Sequence, residues 1–95
     1  MSLFTVISRR DDDRVFYAGC WHAAVEIDGT TYWVGTSRER RGDGKKRKLV
    51  TTGYVRRGAD SLLGENGRGR YPTVKPDVTV ADLLKLAGIT TTEKP

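Results

Sequence analysis

Cys20-Trp21-His22 is the one place in this sequence where a nucleophile and a base stand together. On an extended strand their side chains share a face, one pleat repeat or about 6.5–7 Å apart. A general base has to lie within hydrogen-bond reach of the proton it takes, so the pair is too widely spaced to act directly. No third group orients His22, although Glu26 lies further along the same face. The expected reading is a structural cysteine and a structural histidine, in a protein that is not an enzyme and has no catalytic residues. One cysteine and one histidine also fall short of the four ligands that a structural zinc requires. Asp11-Asp12-Asp13 offers carboxylates, but a calcium loop spaces its oxygens around a glycine, and here arginines flank the run. Gly64 to Gly69 lacks the lysine-serine ending of a phosphate-binding loop. No metal and no cofactor are expected.

The charge has a more definite address. The chain carries a formal net charge of +5. Residues 38–48 hold Arg38, Arg40, Arg41, Lys45, Lys46, Arg47 and Lys48 against Glu39 and Asp43, and the remaining basic and acidic side chains cancel. A second excess lies between residues 56 and 75, where Arg56, Arg57, Arg68, Arg70 and Lys75 face Asp60 and Glu65. So local an excess creates a local positive field, for which a polyanion is the natural partner. The same charge would also serve a solvated loop that keeps an exposed hairpin from pairing edge to edge. Arg68-Gly69-Arg70-Tyr71-Pro72 resembles in part the Arg-Gly-Arg-Pro core of AT-hook minor-groove binders, with Tyr71 set between arginine and proline. The resemblance implies two arginines that a small glycine lets approach a narrow groove.

The elements that must position these residues begin with a hairpin. Asp28-Gly29 between two β-rich runs is the strongest short-range hairpin signal. A two-residue loop there pairs Ile27 with Thr30, Val25 with Tyr32 and Ala23 with Val34 on one face, leaving Ala24 and Trp33 on the other. A first strand is expected over Leu3 to Ser8, then a charged turn from Arg9 to Arg14. A long second strand follows over Val15 to Ile27, its odd positions inward and Gly19 marking a bulge. The third runs from Thr30 to Thr36 and the fourth from Leu49 to Arg56, joined by a loop over 37–48. Residues 57–77 read as irregular, with a brief helical turn at Asp60 to Leu63. Thr79 caps a helix over Val80 to Ala87, with Asp82 completing an approximate capping box and Gly88 as terminator.

The expected fold is α+β: a small antiparallel meander of about four strands, twisted or partly barrel-like, with one C-terminal helix packed on it. Residues 1–89 form a single domain and 90–95 a frayed tail. A lone cysteine, no secretory pattern at the N-terminus and no apolar run of spanning length point to a cytoplasmic protein without a membrane partner. The favoured function is a non-catalytic nucleic-acid-binding module, DNA or RNA. Arg38, Arg40, Arg41, Lys45, Lys46, Arg47 and Lys48 would neutralise phosphates, supported by Arg68 and Arg70. Two basic loops leaving the same end of the sheet would form one rim beside Tyr54, Tyr71 and Trp33. The alternative is a protein-interaction module, a small regulator or inhibitor on a larger partner, with Trp33 among arginines as its hot spot. Homodimerisation by strand addition on an open edge of strand one or four belongs to the same reading.

Overall fold

The computed structural model describes residues 2–63 and 71–95. Among the described residues six strands form one sheet: β1 (Ser2–Asp11), β2 (Trp21–Ile27), β3 (Thr30–Arg41), β4 (Lys48–Arg57), β5 (Asp60–Leu63) and β6 (Thr91–Glu93). Their order across the sheet is β5-β4-β3-β2-β1-β6, and a helix, α1 (Val80–Leu86), packs on one face. The expected meander is present as β1 to β4, but the sheet has two further strands and is mixed, because β6 runs parallel to β1.

The β2–β3 hairpin forms in the expected register, Ile27 opposite Thr30 and Ala23 opposite Val34. Asp28 and Gly29 both take positive φ, 50° and 82°, the two-residue turn whose twist matches that of its strands. The helix-side face then carries Phe4, Val25, Ile27, Val34 and Val55, which pack with Val80, Leu83 and Leu84 of α1. Thr79 accepts from the Asp82 backbone N–H while the Asp82 carboxylate accepts from Thr79, so the capping box closes. At the other end the Ile89 N–H reaches the Leu84 carbonyl and the Gly88 N–H that of Lys85, the Schellman pair of bonds.

Four expectations need correction. The long second strand breaks: Val15–Tyr17 is a 3-10 turn and Gly19 adopts φ of 87°, so regular pairing starts only at Trp21. The Asp60 to Leu63 helical turn is strand β5, because the Gly58-Ala59 turn folds it back on β4, with Arg57 opposite Asp60. Residues 72–74 continue along the same side of β4, the Gly53 N–H donating to the Pro72 carbonyl at 3.1 Å and the Val74 N–H to that of Thr51 at 2.9 Å. The residues expected to fray carry β6, with Thr91 buried and its hydroxyl donating to the Ser2 carbonyl at 2.7 Å. Strand four is therefore not an open edge, and strand one has β6 along Ser2 to Phe4.

The fourth correction changes the candidate site. β3 does not stop at Thr36 but continues to Arg41, and β4 starts at Lys48, so half of the expected loop over 37–48 is strand and the turn shrinks to residues 42–47. β2 begins at Trp21, whose N–H donates to the Thr36 hydroxyl at 3.1 Å. From Ser37 to Arg41, β3 runs past the end of β2 as a ribbon with β4, a reach of about 17 Å at 3.4 Å per residue.

Candidate nucleic-acid interface

Strand parity deals the basic residues to different places. Arg38 and Arg40 lie opposite Thr51 and Leu49 on the helix-side face of the ribbon. The segment between β1 and β2 folds against them: Arg40 stands over the Phe16 ring at 5.6 Å, and an Arg38 guanidinium nitrogen lies beside Gly19. Arg38 is half-buried, its Nε without a hydrogen-bond partner. Arg41 falls on the opposite face, paired with the Glu39 carboxylate and donating to the Tyr71 carbonyl. Lys45 and Lys46 sit in a 3-10 turn at the ribbon tip, and with Arg47 and Lys48 they are exposed. Arg68 and Arg70 lie outside the described residues. Of the nine candidates, the fold gathers Lys45, Lys46, Arg47 and Lys48, exposed at one tip.

The sheet face away from α1 is a second basic and aromatic surface. Cross-strand register lays down two rows there. Arg10, His22, Gly35 and Tyr54 form one, and Ser8, Ala24, Trp33 and Arg56 form the other. The parity switches within β1 because a bulge between Val6 and Ser8 turns Ser8 and Arg10 to this side. Two adjoining cavities of about 350 and 240 Å³ share His22 and Tyr54, and Ser37, Thr52, Arg56 and Tyr71 line the larger. Arg57 lies beside the Gly58-Ala59 turn, at the end of β4 away from the ribbon tip. Among the described residues the basic side chains thus fall into a basic tip and a basic open face, and the Arg68 and Arg70 part of the expected rim lies outside them.

His22 is not isolated, as the sequence suggested. Its Nδ1 lies 2.8 Å from the Tyr54 hydroxyl and its Nε2 is 3.3 Å from an Asp12 carboxylate oxygen. Asp12 in turn accepts from the Arg14 guanidinium at 2.7 and 2.9 Å and from the Arg14 backbone N–H at 3.0 Å. Those Arg14 bonds, with a smaller contribution from His22, hold the Asp12 carboxyl well below the usual carboxylate range. A carboxylate can only accept, so in the neutral ring His22 donates through Nε2 and the Tyr54 hydroxyl donates to Nδ1. Burial pushes the Tyr54 phenol up, against the opposing pull of Arg10 and Arg56. A protonated phenol is a hydrogen-bond donor, which is the role Tyr54 plays toward His22. Cys20 is buried, its backbone bonded to Tyr17 and Asp12. Sequence spacing held no signal for Asp12 and Tyr54, since three different elements bring them to His22.

The Asp12 contribution has a definite pH dependence. Its carboxyl is lower in the folded state than the ordinary value of about 3.9, so the stabilisation is complete above that pH and fades as pH falls below it. Asp12→Asn should lower the urea midpoint at neutral pH. The gap to wild type should narrow steadily below about pH 4. A gap that stays constant on acidification would show that ionised Asp12 contributes nothing.

Neither family models, curated proteins nor solved structures give a match to this chain. Among the described residues no helix is long and apolar enough to cross a membrane.

Proposed function

We propose that this protein is a small, non-catalytic nucleic-acid-binding module that contacts phosphates through the tip of its β3–β4 ribbon. The reading is supported by one observation above all: Lys45, Lys46, Arg47 and Lys48 are consecutive, exposed, and carried at the end of a strand pair that outruns its neighbours. A two-stranded ribbon fits the major groove of a duplex. Clustered ammonium and guanidinium groups bind a phosphate backbone by releasing its condensed counterions. The stem behind the tip is braced on both faces, by Phe16 under Arg40 on one and by the Glu39–Arg41 pair with Tyr71 on the other. Bracing keeps the tip in one orientation before binding and so lowers the entropy lost on association.

The test is the quadruple variant Lys45→Ala, Lys46→Ala, Arg47→Ala, Lys48→Ala, titrated against duplex DNA and RNA over a range of salt. Affinity near physiological salt should fall about tenfold or more, and the log–log salt slope should become shallower by about 3–4. The circular dichroism spectrum and urea midpoint should stay unchanged, because none of the four side chains is buried. Wild-type affinity and slope in that variant would refute the proposal.

A further inference from the structure

The groove on the open face is built from side chains other than those of the ribbon tip. Its floor is small where the two rows cross β1, β2 and β3, at Ser8, Ala24 and Gly35. That absence of bulk lets the Tyr54 ring lie over Gly35 and reach His22. Beside it stands Trp33, 50% exposed, whereas Trp21 on the core side is 4% exposed. Arg56 is directly opposite Trp33 on β4, and Arg10 is directly opposite His22 on β1. Glu39 is the one carboxylate among the described residues lining the two cavities, and Arg41 already pairs with it. A half-exposed indole with Arg56 opposite it and Arg10 in the neighbouring row matches an anionic ligand with a planar, exposed π-face.

We propose that this groove binds single-stranded nucleic acid, with a base stacked on Trp33 and the flanking phosphates held by Arg10 and Arg56. The inference rests on the nucleic-acid reading above but uses none of the tip residues. A duplex keeps its base faces inside its own stack, while a single strand offers them to an aromatic platform. The Asp12–His22–Tyr54 chain satisfies its own polar groups, so the groove keeps its shape without a ligand.

The experiment titrates an oligothymidylate of about 12 nucleotides, and separately a duplex, into wild type, Trp33→Leu, the Arg10→Gln Arg56→Gln double variant and the ribbon-tip variant. Urea midpoints establish that each is folded. Stacking should quench the emission of Trp33 in wild type, leaving Trp21 as the residual signal. Trp33→Leu should lose the quenching and bind the oligothymidylate roughly 5- to 150-fold more weakly, with duplex affinity unchanged. The arginine double variant should bind the single strand more weakly, with a salt slope lower by about 1–2. Wild-type binding without quenching, or wild-type affinity in Trp33→Leu, overturns the groove. If the tip variant then loses both nucleic acids, the ribbon proposal stands alone. Loss of the single strand in Trp33→Leu with full binding in the tip variant leaves the groove and removes the ribbon.

Discussion

Gly35→Ala should destabilise the protein by about 2–3 kcal/mol, near the upper end of what one added methyl costs a packed site. A Cβ at Gly35 would sit 2.5 Å from the Trp21 carbonyl oxygen, 2.6 Å from the Tyr54 hydroxyl and 2.9 Å from a Tyr54 ring carbon. Tyr54 can swing aside, though only by giving up its 2.8 Å bond to His22. The Trp21 carbonyl belongs to the backbone of β2, where the same residue's N–H is bonded to Thr36, and it cannot retreat without pulling β2 from β3. Gly29→Ala separates this crowding from the general effect of losing a glycine. Gly29 has φ of 82° and nothing within 4 Å of a built Cβ, so its cost is conformational alone, about 1 kcal/mol. Urea unfolding of the two variants should therefore differ in the midpoint shift, with Gly35→Ala the larger. Gly35→Ala should also weaken oligothymidylate binding, since the displaced ring falls into the groove. Equal midpoints for the two variants would mean that Gly35 is there for its backbone freedom and not for the space it leaves.

Local signals in the sequence were legible where a few neighbouring residues decide the outcome. Asp28-Gly29 sets the β2–β3 register by itself, and Thr79, Asp82 and Gly88 bound the helix through bonds that span at most five residues. Glycine was harder to interpret. Most of the eleven glycines suggest turns, yet Gly35 and Gly53 lie inside strands, where partners distant in sequence occupy the space a side chain would take. The Asp60 to Leu63 segment has the composition of a helical turn, but antiparallel pairing with β4 overrides that weak preference. β6 is three residues long and pairs with the other end of the chain, Ser2 with Thr91, so no local pattern announces it. Residues 37–41 show no alternation of apolar and polar types, the usual mark of a strand, because neither face of the ribbon is deeply buried there. The candidate site divides in the same way. The basic cluster is visible as composition, but which of its members reach the tip depends on strand parity, and the groove depends on a bulge in β1 that redirects Arg10.

Leu83→Ala should cost about 3–5 kcal/mol, a large share of the roughly 5–15 kcal/mol that holds a domain together. Leu83 is fully buried on a helix of seven residues, too short to persist in water unless it is docked. Its seat on the sheet is Gly53: a Cβ there would lie 2.5 Å from Leu83 Cδ2 and 3.1 Å from a Val74 methyl. Gly53→Ala alone should therefore cost about 1–3 kcal/mol by lifting Leu83 from the sheet. Together the two changes should cost less than the sum, by about 1 kcal/mol or more, because the new methyl enters the space the leucine vacates. The double-mutant cycle can be read entirely from urea midpoints and slopes. Additivity within about 0.5 kcal/mol would show that α1 does not rest on β4 through this contact. Coupling of the expected sign would place the helix on the reverse side of the strand that carries Tyr54 and Arg56. In that case Leu83→Ala should also loosen the open-face groove, and oligothymidylate affinity should fall along with stability, although no residue of the helix lines it.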